Sequence, residues 1–276
     1  MATALVTDSN AQLTEALRSR YEIAVVPLTV VIDGTPYHEG VDLSADDFWA
    51  RVQAGADVST AAPSTGEVLA VYEEQVAKGA GSIVSVHVGS STSGVLNAVQ
   101  LAARASPVPV EVVDTGTASF GVSACAWAAG EILAVGGDPA AAGRAARQVA
   151  AEVRNVFIVG ALDFARRGGR LSGEAAATQG LPVLALEEGR MRPVASVADL
   201  DSAIEAMASY IAEQTAGRPT RVAVGHALLP AGARALAGLV SAVDGVSEVV
   251  DYEVGPSVGV HTGAGTLGAI FWPAPA

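Results

Sequence analysis

Apolar and polar positions along the first half of the chain alternate between two periods. Short β-branched or aliphatic runs close on polar turns, and longer stretches with helical spacing follow. Ala4-Leu5-Val6 ends at Thr7-Asp8-Ser9, a turn suited to capping a helix that carries Leu13, Ala16 and Leu17. Ile23 to Ile32 is β-branched, and Asp33-Gly34 turns it back toward Tyr37. Ser82 to Val88 is an apolar strand leading into Gly89-Ser90-Ser91-Thr92-Ser93-Gly94, with helical spacing from Val95 onward. Val110 to Val113 is another strand, closed by Asp114-Thr115-Gly116, and helical sequence runs on to about Val135. Repeated strand, polar loop and helix predict a parallel sheet flanked by helices, with ligands bound in the loops at the carboxyl ends of the strands.

The second half has a different rhythm. Val156 to Gly160 reads as a strand, and Leu184 to Val197 as a hairpin around Glu188-Gly189. Leu200, Ile204, Met207 and Ile211 form a helical stripe expected to face a core. Val222 to Gly225 is a strand, Ala231 to Val243 a helix, and Val246 to Val254 and Val258 to Phe271 are strand-rich. This is α+β rather than repeated βαβ. The division falls after the polar helix carrying Arg144, Arg147 and Glu152, giving an N-terminal α/β domain over 1–153 and a C-terminal α+β domain over 154–276.

Composition narrows the chemistry. With 276 residues, half of them hydrophobic, the chain has enough apolar surface for a core. A formal net charge of −13 repels phosphate backbones, so nucleic-acid binding is not expected. Lys78 is the sole lysine and no Gly-Lys-Ser/Thr occurs, which excludes a Walker-type phosphate loop. The single cysteine, Cys125, excludes internal disulfides and thiolate-built metal sites, and reads as a buried inert thiol. His38, His87, His226 and His261 show no ligand spacing on one helix, so no metal and no cofactor is expected. No basic n-region precedes an apolar stretch at the N-terminus, and no apolar run is long enough to span a bilayer; a soluble, cytoplasmic protein is expected.

Several motifs carry competing readings. Gly263-Ala264-Gly265-Thr266-Leu267-Gly268 matches the dinucleotide fingerprint, but no helix and no acidic ribose ligand can follow before the chain ends. Its glycines are better explained by a tight backbone course beside something bulky. The hydroxyl-rich Gly89–Gly94 loop lacks the G-x-S-x-G register of a nucleophile elbow. Such a loop caps a helix, or accepts an anion with its hydroxyls and free N–H groups. Ser64 with Glu67 forms a capping box, which accounts for Ser64 but not for Thr60. His261, set among glycines, suits a carboxylate partner or a backbone contact. Arg166-Arg167-Gly168-Gly169-Arg170 is either a solvated helix end or an anion or partner contact.

Taken in order, these segments resemble the DegV family of bacterial fatty-acid-binding proteins. The resemblance rests on Thr7-Asp8-Ser9; Ser59-Thr60 with Pro63-Ser64; Ser90 to Gly94; Asp114-Thr115 with Ala118, Ser119 and Gly121; Gly168-Gly169-Arg170; and Gly255-Pro256 through His261-Thr262-Gly263 to Gly268. It implies an α/β fold of two domains, the first a three-layer α/β/α with a mainly parallel sheet, the second α+β, with the lipid site between them. It also implies a non-enzyme that binds a long-chain fatty acid and, as some members of the family do, presents its carboxyl group to a separate fatty acid kinase. The implied ligand-binding residues are Thr60, Ser93, Gly94, His261 and Thr262, and the implied partner contact is Arg170. The chain departs from the family pattern at Ala61, Ala62 and Leu181, and a basic position is lost around Val197-Ala198. The alternative is a serine acyl hydrolase, with Ser93 as nucleophile, His261 as base and Asp8 or Asp114 as orienter.

Overall fold

The structure, a computed structural model, describes residues 2–160, 180–187 and 190–275. The chain divides into two compact units, Met1–Ala151 and Glu152–Ala276. In the first, β1 (Ala2–Asp8), β2 (Ala24–Val26), β6 (Ala80–His87) and β7 (Val110–Asp114) form an all-parallel sheet in the order β2-β1-β6-β7. Along β6 and just beyond it, every residue from Ile83 to Val88 is buried, as expected of a strand covered on both faces. Three helices cover it: α3 (Thr65–Ala77) packs on β2 and β6, α4 (Val95–Ala105) on β7, and α5 (Phe120–Ala134) on β1 and β6. A further helix, α6 (Pro139–Glu152), adds Ala142 and Ala146 to the same core.

A small antiparallel sheet also lies within the first unit. It contains β3 (Thr29–Ile32), β4 (Thr35–His38) and β5 (Val58–Ala61), in the order β4-β3-β5. Asp33 and Gly34 both take positive φ, 50° and 81°, so the expected turn is a two-residue hairpin of the primed type, whose twist matches its strands. Two other short helices, α1 (Glu15–Arg20) and α2 (Ala45–Gln53), complete this unit. Here the expectation for the first turn is corrected. Asp8 caps a 3-10 turn over Ser9–Ala11 by accepting from the Asn10 N–H, and α1 begins later under its own cap, Thr14.

The described residues of the second unit include a six-stranded mixed sheet. Its strands are β8 (Arg154–Ile158), β9 (Leu181–Glu187), β10 (Arg190–Val197), β11 (Thr220–His226), β12 (Val246–Glu253) and β13 (Leu267–Pro273), in the order β10-β9-β8-β13-β11-β12. The hairpin of β9 and β10 spans the expected segment, with residues 188–189 outside those described. Helices α7 (Leu200–Thr215) and α8 (Pro230–Ser241) pack together against the sheet. The predicted stripe does face the core: Met207 and Ile211 are fully buried, Ile204 nearly so, and Leu200 partly. Each such side chain contributes about 1.5–3 kcal/mol of apolar transfer.

Two expectations for the C-terminal segment meet different fates. Val258 to Phe271 is not strand throughout, because Pro256–Thr262 is a helix, α9. Gly255-Pro256 starts it, with the proline at a position whose missing N–H and fixed φ favour a first turn. The glycine-rich run then enters β13, not a helix, so it lacks the N-terminus a pyrophosphate needs. Its glycines do serve close approach. A Cβ on Gly268 would lie 2.3 Å from the Phe157 Cβ, and one on Gly160 would lie 1.6 Å from the Ala264 carbonyl oxygen.

Among the described residues, no helix is long and apolar enough to cross a membrane.

Gly268→Ala drives a methyl into the backbone of β8. It is expected to lower the urea midpoint by an amount equivalent to about 1–3 kcal/mol. The urea m-value should stay unchanged, since the same surface is exposed on unfolding.

Candidate functional site: the strand-end loops of the parallel sheet

The loops after β1, β6 and β7 lie at the carboxyl edge of the parallel sheet and are laced together. The Gly89 N–H donates to the Thr117 carbonyl at 2.8 Å, and the Thr115 hydroxyl donates to the His87 carbonyl at 2.8 Å. Asp114 accepts from the Ser90 hydroxyl at 2.5 Å and from the Ser90 N–H at 3.1 Å. Gly89 is required here, because a Cβ would come within 2.6 Å of the Gly116 carbonyl carbon. The loop after β1 joins this set through Asn10, whose Oδ1 accepts the Ser119 N–H at 2.9 Å. Ser119, which precedes α5, holds a φ of 56°, a sparsely populated region for a side-chain-bearing residue.

The four hydroxyls of the loop do different things. Ser90 is committed to Asp114, Thr92 donates to the Gly89 carbonyl at 2.9 Å, and Ser91 is exposed. Ser93 is half-buried, and its oxygen accepts the Val95 N–H only at 3.4 Å. Helix α4 begins at Gly94 with no side-chain cap bond. The Val95 N–H thus meets the Ser93 hydroxyl only at long range, and Gly94, lacking a side chain, caps no other first-turn N–H, an arrangement suited to an anion. The plain capping reading of this loop thus accounts poorly for Ser93.

Thr60 is placed differently from expectation. It lies within β5, paired with Val30 of β3, and belongs to the small antiparallel sheet. It does not follow a strand of the parallel sheet, so convergence of strand-end loops is not what positions it. The next residues lead to Ser64, which caps α3: Ser64 Oγ accepts the Glu67 N–H at 3.2 Å, and Glu67 accepts the Ser64 N–H at 2.7 Å. The capping box is thus present as expected. Glu67 also bonds His38 Nε2 at 2.9 Å.

In the second unit, His261 and Thr262 end the short helix α9. His261 is half-buried and Thr262 buried. The Thr262 carbonyl accepts the Gly160 N–H at 3.1 Å, which sets this helix end beside the end of β8. Arg170 lies outside the described residues, as does the whole Arg166–Arg170 cluster. A cleft of about 130 Å³ lined by Arg154, Arg218, Thr220 and Trp272 opens at the start of β8 and β11, the opposite end of those strands, and gathers none of the expected site residues.

Sequence reasoning missed one buried cluster. His87 Nδ1 lies 2.9 Å from Asp8 Oδ2, and His87 Nε2 lies 2.6 Å from the Ser85 hydroxyl. Tyr72 of α3 donates to that same hydroxyl at 2.8 Å. All four side chains are fully buried. A histidine inside a continuous apolar strand was the available signal, since a buried imidazole needs partners on both nitrogens. Burial raises the Tyr72 pKa to about 12, so it remains a donor at neutral pH. Cys125 is likewise sealed in the core, and burial raises its pKa, matching the inert thiol expected.

These bonds bear on the hydrolase alternative. Asp8 is engaged by His87 and two backbone N–H groups, from Asn10 and Val88. Asp114 is engaged by Ser90 and the Gly116 N–H. Both carboxylates that could orient His261 therefore already serve other donors. No group of three His, Cys, Asp or Glu among the described residues could hold a metal ion.

The family follows from the whole chain. The model of the DegV family, described as uncharacterised, matches residues 2–274. This chain belongs to the DegV family. A DegV domain-containing protein of Streptomyces coelicolor is 37% identical over 97% of both chains. One from Mycobacterium bovis is 31% identical over 97% of this chain and 96% of that protein. Among solved structures, a DegV family protein from Thermus thermophilus, described for its fatty acid binding, superposes with a TM-score of 0.89 at 30% identity, covering 99% of this chain and 100% of that one. DegV from Bacillus subtilis, described as a fatty acid binding protein, gives 0.88 at 27% identity over 99% and 100%. The two-domain α/β architecture expected of the DegV family is the one observed.

The His38–Glu67 contact makes a pH prediction. Hydrogen bonding to Glu67 raises the His38 pKa above its ordinary 6.5, and bonds from Ser64, then His38, lower that of Glu67 below 4.5. The histidine contribution is present below 6.5 and fades as pH rises through its raised value. The Glu67 contribution is present above 4.5 and fades as pH falls through its lowered value. Glu67→Gln retains a capping-box residue but loses the charge. Its deficit in urea midpoint relative to wild type should be larger near pH 5.5 than near pH 8; equal deficits would contradict this.

Proposed function

We propose that this chain binds a long-chain fatty acid, with the carboxyl group held by the Ser93 hydroxyl and the Gly94 N–H and assisted by Thr60, His261 and Thr262. In this reading the acyl chain occupies a tunnel between the two units, and the protein itself performs no chemistry. The observation that carries the reading is the uncapped start of α4 beside a weakly engaged, half-buried serine, in a chain that matches a fatty-acid-binding DegV protein over its full length. A carboxylate needs several donors when it leaves water, and hydroxyls with helix N–H groups supply them without a nucleophile. About fourteen methylenes at ~0.8 kcal/mol each contribute roughly 11 kcal/mol, against association costs of about 4–15 kcal/mol. Useful affinity therefore requires a preformed apolar site.

The proposal extends to a partner. Presentation of the acyl carboxyl to a separate fatty acid kinase would give Arg170 its role, since its cluster is the densest basic feature on a chain of net charge −13. Arg170→Ala is expected to leave lipid affinity nearly unchanged and to slow phosphorylation of the bound acid by such a kinase. Loss of the lipid instead would place Arg170 in the pocket.

Denaturing extraction of the purified protein followed by lipid mass spectrometry should return one fatty acid per chain. Ser93→Ala and Thr60→Ala should each weaken free-acid binding roughly tenfold, near the upper range for one lost hydrogen bond, and leave the methyl ester almost unaffected. The double variant should show coupling, because both hydroxyls serve one ligand group. Equal losses for acid and ester would mean that the hydroxyls only support their loops. Ester turnover by the isolated chain, abolished in Ser93→Ala, would favour the hydrolase instead.

A further inference from the structure

The buried Tyr72–Ser85–His87–Asp8 cluster has a direction. Asp8 Oδ2 accepts the Val88 N–H at 3.0 Å and the His87 Nδ1–H at 2.9 Å, while Asp8 Oδ1 accepts the Asn10 N–H at 3.1 Å. With the ring proton on Nδ1, Nε2 accepts from the Ser85 hydroxyl at 2.6 Å, whose oxygen accepts from Tyr72 at 2.8 Å. Every polar hydrogen in the chain then has one acceptor. The order Asp–His–Ser is that of a hydrolase triad, but Ser85 is inside β6 with no exposed surface, so the arrangement cannot meet a substrate.

Its placement is informative. Val88, held by Asp8, is the first residue after β6, and the next carbonyl, that of Gly89, accepts both the Thr92 and Ser93 N–H groups. Asn10, held by the same carboxylate, receives the N–H of Ser119. Tyr72 stands on α3, whose first turn is capped by Ser64, four residues after Thr60. One carboxylate and its hydrogen-bond chain thus connect the loops after β1 and β6, the start of α5, and the helix following the Thr60 strand. Aliphatic side chains at 85 and 87 would serve the sheet as well, because buried polar groups add little net stability over well-packed apolar ones.

We propose that Asp8 and His87, with Ser85 and Tyr72 behind them, are positioning residues that set the Ser93 hydroxyl and the Gly94 N–H for carboxylate recognition. This rests on the fatty-acid reading for its ligand, but not for its geometry. Asp8→Asn preserves volume and turns one acceptor into a donor, so at least one of the three donors on Asp8 is left unmatched however the amide flips.

The test compares full-length wild type and Asp8→Asn in two ways. Titration with palmitic acid and methyl palmitate should show about tenfold weaker acid binding in the variant and unchanged ester binding. Amide hydrogen exchange of the ligand-free proteins should show Val88, Gly89 and Ser93 exchanging about tenfold faster, with the strands of the second unit unchanged. Equal losses for acid and ester, or unaltered exchange at those three amides, would overturn the proposal. If wild type binds neither probe, the fatty-acid reading falls while the exchange comparison still decides the positioning. Should Asp8→Asn fail to fold, Tyr72→Phe removes only the far hydroxyl. It should weaken the acid about threefold at constant ester affinity, and no change, or an equal change in both, would count against the relay.

Discussion

A carboxylate buried at the end of the first strand organises the candidate site. Asp8 is fully buried, and three donors converge on it: the His87 ring, the Val88 N–H and the Asn10 N–H. Leaving such a group unpaired inside a protein is costly, so the backbone around it must take the one geometry that satisfies it. That geometry fixes where the chain leaves β1 and β6. The loops beyond are laced to the β7 loop by Ser90–Asp114, Gly89–Thr117 and Thr115–His87.

The surrounding core makes this possible. Helices on both faces of the parallel sheet exclude water from β6, and in that setting hydrogen bonds are strong and mismatches are penalised. Small residues allow close helix and loop approach, as Gly89 against Gly116 illustrates. A serine then remains at the edge of this rigid frame, beside a helix start with no side-chain cap. Rigid support beneath adaptable donors is what recognition of a carboxylate at the end of an apolar ligand requires. The second unit supplies an equally well-packed sheet whose helix end carries His261 and Thr262.

Much of the architecture was legible in the chain. The runs Ala4–Val6, Ser82–Val88 and Val110–Val113 became strands of one parallel sheet, and the Leu200–Ile211 stripe became the buried face of a helix. The hairpin at Asp33-Gly34 and the Ser64–Glu67 capping box formed as their residue types require. The Gly263–Gly268 run could be rejected as a nucleotide site because it runs into Ala269-Ile270-Phe271-Trp272-Pro273, which does not open a helix. These features depend on neighbours within a few residues, where periodicity, turn chemistry and caps act. The Ser93–Gly94 loop was visible for the same reason, as a polar turn between a buried strand and a helix.

Other features were decided only by the tertiary structure. Asp8 and His87 are 79 residues apart, and their bond exists because β1 and β6 pair in a register that brings both strand ends level. Nothing local to Ser59-Thr60 announces that antiparallel pairing of β5 with β3 puts Thr60 in a separate sheet. Helix α9 was hidden because Val258, Gly259 and Val260 are poor helix formers, while Pro256 in its first turn and Gly263, at a positive φ just past its end, punctuate the short helix. Local pattern specifies which face of an element is apolar. It does not specify register or sheet membership, which emerge only when distant strands compete for partners and buried polar groups find theirs.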